Sequence, residues 1–115
     1  MAAQLGERLA EYARLGARFA KWRAVIVIGD GTPSDYAIHT NAHALARYAA
    51  LCQEADIVPI VEPEVLMDAD NSIEICESVT DRTLEAVFHE LYLQKVLLEG
   101  IVLFIVLWLY ARARY

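Results

Sequence analysis

Two pairs of charged side chains interrupt stretches that are otherwise apolar, and within each pair the spacing is two. Lys21 and Arg23 fall inside Phe19 to Ile28, a run rich in Val, Ile, Phe and Trp. In an extended chain, residues two apart point to the same side. If the strand includes both, they form a cationic clamp for phosphate or hydroxyl groups, with the guanidinium able to bind through two parallel hydrogen bonds. If the strand begins only at Ala24, both are solvated, and the rarity of unpaired buried lysine favours that plainer reading. Glu62 and Glu64 form the second pair, at the end of a shorter apolar run, Ile57 to Val61. Paired carboxylates at a strand end suit proton transfer, because burial and a like-charged neighbour make one of them easier to protonate, while a nearby cation such as Lys21 acts in the opposite sense. The alternative is two solvated loop acids, since loops at strand ends are commonly charged.

Other chemically capable residues make weaker patterns. His39 and His43 stand four apart on a helical stretch and could share a metal, but no third ligand follows from spacing, and two solvated histidines are the simpler reading. His89-Glu90 resembles the start of a zinc-protease helix, yet position 93 is Leu instead of His. Gly29-Asp30-Gly31 lacks the third glycine of a dinucleotide loop and is read as a turn. Cys52 and Cys76 occupy apolar positions of helical stretches, as small core residues do. No metal and no cofactor is expected.

The elements that must position these residues follow from periodicity. Leu5, Leu9, Tyr12 and Leu15 share one face of an amphipathic helix that Gly16 stops. Phe19 to Ile28 is then a buried strand. Thr32-Pro33-Ser34-Asp35 supplies an N-cap hydroxyl, a proline at the first helical position and an acid at the positive helix end. The helix so begun repeats Ile38, Ala42, Leu45, Ala49 and Cys52 and ends near Ala55. Ile57 to Val61 is a second strand in spite of Pro59, ending at Glu62-Pro63-Glu64. Asp68 to Ser72 is a turn, Ile73 to about Gln94 a helix, and Leu97 begins a third strand. Strands alternating with helices predict parallel pairing with right-handed crossovers, an α/β fold.

The totals narrow the function. With 115 residues there is one compact unit, short of the about 250 that a closed barrel of eight strands takes. A net charge of −6 and scattered basic residues argue against nucleic-acid binding. Two cysteines without a disulfide framework suit a reducing cytoplasm, and Met1 to Ala10 has no export pattern. Ile101 to Tyr110 is uncharged but shorter than the roughly 18 to 20 residues that span a bilayer. A competing reading makes Leu97 to Tyr110 an apolar docking or membrane-surface segment anchored by Arg112 and Arg114 in a non-enzymatic protein.

The segment Gly16-Ala17-Arg18-Phe19-Ala20-Lys21-Trp22-Arg23 resembles the part of class I fructose-bisphosphate aldolases that carries an active-site lysine and a nearby arginine. Asn41 to Ala49, Val58 to Leu66, Val79-Thr80, Leu84 to Val87 and Leu98-Glu99-Gly100 continue that likeness in order and spacing. The resemblance implies a partial (β/α)8 TIM barrel over residues 1–100, followed by a divergent apolar tail at 101–115. It implies a sugar-phosphate substrate, with Lys21 contacting it, Arg23 in support, Glu62 shuttling protons and Glu64 tuning the site. It also places the family's imine-forming lysine at the position of Phe104, so the chain is expected to share aldolase ancestry without turnover. The abrupt change after Gly100 is the mark expected of a shifted reading frame or a truncated gene model. Unpaired sheet edges would favour self-association.

Overall fold

A computed structural model of the chain describes residues 2–31, 33–66 and 72–104. Helix α1 (Ala2–Arg14), strand β1 (Phe19–Val27), helix α2 (Asp35–Glu54), strand β2 (Val58–Leu66), helix α3 (Ile73–Leu93), a single 3-10 turn (Leu98–Gly100) and strand β3 (Val102–Leu103) follow in chain order. The three strands pair in parallel, in the order β1-β2-β3. This is the alternating α/β arrangement that the periodicity predicts. The part of the apolar tail reading beyond residue 104 and the Asp68 to Asn71 part of the predicted turn fall outside the described residues. Among the described residues, no helix is long and apolar enough to cross a membrane.

The helices lie on one face of the sheet. Ala24, Ile26 and Ile28 of the β1 region, with Pro59, Val61, Pro63 and Val65 of β2, turn toward them and are buried. α2 supplies most of the remaining core, burying Ile38, Ala42, Leu45, Ala46, Tyr48, Ala49, Leu51 and Cys52. Its small residues let it approach the sheet closely while α1 and α3 pack on either side. In α1 the predicted apolar face is only half used: Leu9 is buried, whereas Tyr12 and Leu15 are exposed. The opposite face of the sheet, carrying Lys21, Arg23, Val25, Val27, Ile60, Glu62, Glu64 and Leu66, is not covered by any of these helices.

Local chemistry explains the boundaries. Ser34 caps α2 by accepting from the Ala37 amide at 3.1 Å, and Ser72 caps α3 by accepting from the Ile75 amide at 3.2 Å. Pro33 therefore precedes α2 instead of opening it. All three helices close in the same way: Gly16, Asp56 and Lys95 adopt a left-handed φ just past the end. The next amides reach back five residues, Ala17 to Tyr12 at 2.9 Å, Ile57 to Cys52 at 2.9 Å and Val96 to Leu91 at 3.0 Å. This closure turns the chain back toward the sheet and satisfies carbonyls that a helix end leaves open. Lys95 thus sits in a helix closure.

β2 is longer than its apolar run suggests, extending through both prolines to Leu66. The Val58 amide donates to the Arg18 carbonyl at 2.9 Å, and the Val61 carbonyl accepts from the Phe104 amide at 2.8 Å. Successive residues of a strand address opposite neighbours, so even-numbered amides of β2 serve β1 and odd-numbered ones face β3. Pro59 and Pro63 are odd. Their missing N–H groups cost nothing in the β1–β2 ladder, which runs unbroken from Phe19↔Val58 to Val27↔Leu66. They do bracket the β2–β3 ladder, which is confined to Ile60↔Val102 and Val61↔Leu103. As a result Glu62 lies mid-strand, not at a strand end.

Candidate active site

Strand pairing brings the four charged residues together on the open face of the sheet. β1 includes both Lys21 and Arg23, so the reading that starts the strand at Ala24 is set aside. The register sets Lys21 opposite Ile60, Arg23 opposite Glu62 and Val25 opposite Glu64. Each cation therefore reaches diagonally to the acid two residues further along β2. Lys21 Nζ lies 3.0 Å from Glu62 Oε2, and Arg23 Nε contacts Glu64 Oε2.

Exposure divides these pairs unevenly. The Lys21 and Arg23 side chains are about half exposed, at 51% and 52%, while those of Glu62 and Glu64 are at 4% and 17%. The acids are sunk into the sheet and the cations stand over them. Glu62 Oε2 is buried and accepts no aligned hydrogen bond, although the ammonium is within ion-pair distance. Charge proximity and directed hydrogen bonding are thus separate here.

Residue 104 joins the same face. Its amide is fixed to the Val61 carbonyl, and its phenyl ring lies 4.9 Å from Lys21 Nζ, measured to the ring centroid. A cation over a ring face at this distance is attracted by the ring quadrupole. On the helix side of the sheet, beneath Lys21, the Tyr48 hydroxyl lies 2.5 Å from the Ala20 carbonyl and 3.2 Å from that of Ile60. Its ring meets Trp22 edge to face at 5.2 Å. Burial raises the Tyr48 phenol above its ordinary value, and burial pushes the Cys52 thiol up to about 11.

The remaining candidates resolve differently. His39 and His43 are both exposed to solvent, as the simpler reading has them, but they are not independent: their Nδ1 atoms converge on the buried carboxylate of Glu90, at 3.4 and 3.2 Å. Spacing missed this partner because Glu90 comes from α3, 47 residues beyond His43. Among the described residues no group of His, Cys, Asp or Glu has the geometry to hold a metal ion. Cys52 and Cys76 are buried and not joined in a disulfide. Gly31 takes a left-handed φ in the turn after β1.

Likeness to known proteins gives this geometry its context. The family profile described as Glycolytic, fructose-bisphosphate aldolase class-I, matches residues 2–108. A probable fructose-bisphosphate aldolase class 1 of Xanthomonas campestris pv. campestris is 63% identical over 99 residues, covering 86% of this chain and 30% of that protein. Fructose-bisphosphate aldolase 4, cytosolic, of Arabidopsis thaliana is 54% identical over 99 residues, covering 86% of this chain and 25% of its own length. Fructose-bisphosphate aldolase of Plasmodium falciparum, in a complex with TRAP and a small-molecule inhibitor, superimposes with a TM-score of 0.86 at 50% identity, over 90% of this chain and 30% of that one. The chain thus spans 25–30% of the length of these relatives, and its three parallel strands and helices form part of a TIM-barrel fold. With the family profile matched over nearly the whole sequence, the chain belongs to the class I fructose-bisphosphate aldolases.

Proposed function

We propose that this chain carries the substrate-contact and proton-transfer part of a class I aldolase site and does not itself break the carbon–carbon bond. In the family's reaction a lysine amine condenses with the ketone of fructose 1,6-bisphosphate or dihydroxyacetone phosphate, with loss of water. The resulting iminium accepts the electron pair released when the bond to the glyceraldehyde 3-phosphate portion breaks. Lys21 and Arg23 would contact the sugar phosphate, Glu62 would shuttle protons and Glu64 would hold Arg23 in place. None of these steps calls for a metal or an organic cofactor. The working compartment of the chain is, on this reading, the cytoplasm.

The observation that supports the loss of cleavage is the Phe104 ring 4.9 Å from Lys21 Nζ, on the face that carries Glu62. A phenyl ring at the place of the imine amine cannot supply the electron sink. Lys21, the one lysine on this face, is ion-paired to Glu62, and Lys95 sits in the closure of α3, away from the sheet. The test is reduction with borohydride in the presence of dihydroxyacetone phosphate, followed by intact-mass measurement. The expected outcome is unmodified protein. A mass increase of one reduced triose phosphate, mapped to Lys21 or Lys95, would overturn the reading.

A further inference from the structure

We infer that Tyr48 is a positioning residue for the Lys21–Glu62 pair, acting from the covered side of the sheet as a cross-tie between β1 and β2. This rests on the reading of Lys21 and Glu62 as the working pair. Ala20 precedes Lys21, and Ile60 is the residue paired with Lys21 across the ladder. One phenolic oxygen touches the carbonyls of both, at 2.5 and 3.2 Å. Tyr48 is itself 3% exposed, and its ring is held against Trp22, so the hydroxyl is delivered by a rigid lever from α2.

The placement is not needed to satisfy those carbonyls. With even-numbered amides of β2 addressing β1, the Ala20 carbonyl accepts from the Ile60 amide and the Ile60 carbonyl from the Trp22 amide. The hydroxyl is therefore an additional tie at the one point of the ladder that flanks Lys21. Its effect is to resist sliding or splaying of the two strands. The Lys21–Glu62 contact of 3.0 Å spans the same two strands on the diagonal, so a small shift between them lengthens it directly.

Tyr48→Phe removes the tie, keeps the ring and leaves both carbonyls with ladder partners, so the fold is retained; unchanged circular dichroism checks this. The chain contains two lysines, Lys21 and Lys95, and Lys95 at the end of α3 serves as an internal standard. Brief acetylation with trace acetic anhydride and peptide mass spectrometry give the ratio of labelling at the two. Ion pairing with Glu62 withholds the Lys21 amine from the reagent, so Glu62→Gln raises the ratio. Tyr48→Phe raises it in the same direction by about threefold, the effect of loosening one close charge contact. In the Glu62→Gln background Tyr48→Phe adds nothing, because the contact it tunes is already gone. A ratio unmoved by Tyr48→Phe, or one moved equally with and without Glu62, would overturn the inference. The labelling needs no sugar phosphate, so its result stands apart from the borohydride test of cleavage.

Discussion

The ring of Phe104 and the ammonium of Lys21 are stacked nitrogen over face, 4.9 Å apart, on the strand pair that also presents Glu62. The contact contributes about 0.5–1 kcal/mol at this half-exposed site. It also defines what an amine in place of the ring would meet, namely a second ammonium within a few ångströms.

Phe104→Lys tests that setting. Two close cations disfavour each other, so one of the two amines deprotonates more readily, which is the form that attacks a ketone. The expected outcome is a borohydride-stable adduct with dihydroxyacetone phosphate, mapped by peptide mass to position 104 and missing from the unaltered chain. Absence of that adduct would mean that the ring at 104 is not the sole obstacle to imine formation.

Lys21→Met should destabilise the fold, because it strands the Glu62 carboxylate at 4% exposure without a counter-charge. The expected loss is about 2 kcal/mol, below the range for a fully buried pair because the Lys21 side chain already sits half in water. Urea titration measures it. The double change Lys21→Met, Glu62→Gln should recover most of the loss, since no buried charge remains unpaired.

Gln53 and Gly100 form a second dependency. The Gln53 side chain accepts from the Leu97 amide at 2.9 Å and donates to the Leu97 carbonyl at 2.8 Å, fixing the segment that leads into β3. A Cβ on Gly100 would lie 2.9 Å from Gln53 Nε2. That amide is the far end of a flexible side chain, so it can move, but only by giving up its bonds to Leu97. Gly100→Ala and Gln53→Ala should each cost about 1 kcal/mol in urea titrations, and together little more than either alone.

Alkaline stability should follow the buried thiol and phenol. Folding raises the Cys52 thiol from 9.0 to about 11, so between those values the unfolded chain sheds a proton that the folded chain keeps. Stability from this source is complete below about pH 9 and declines as pH rises toward about 11. Tyr48, also raised by burial, contributes in the same direction. Chemical denaturation at pH 8 and pH 10.5 should show the decline, and Cys52→Ala should reduce it. At pH 8 the folded chain should leave Cys52 unreactive toward a thiol reagent that modifies it in urea.

Much of the fold was legible because its signals are local. Gly16 as a helix stop, the Val, Ile, Phe and Trp content of Phe19 to Ile28 and the spacing of Ile38, Ala42, Leu45, Ala49 and Cys52 each depend on residues within a few positions. The ends of β2 were not legible, since the effect of a proline depends on which neighbour its missing N–H would have faced, and that is fixed only by pairing. The cap of α2 was misplaced by two residues because Thr32 and Ser34 offer the same hydroxyl chemistry.

The candidate site was legible in part. The spacing of Lys21 with Arg23 and of Glu62 with Glu64 announced shared sides, but the diagonal pairing of each cation with its acid is a property of register. Glu90 escaped notice as the partner of His39 and His43 because its companions lie on another helix. Tyr48 stands outside the apolar repeat of α2, and only the sheet beneath it gives its hydroxyl a role.

Pro59 and Pro63 give β2 two unequal sides: one bonded along its whole length, the other limited to the single donor between them. The catalytically suggestive quartet is mounted on the strong side, whereas position 104 arrives along the weak one. A change of residue there disturbs few main-chain bonds, so position 104 can vary without altering the shape of the barrel segment. The architecture thereby separates the bonds that hold the strand pair from the side chain that stands at position 104.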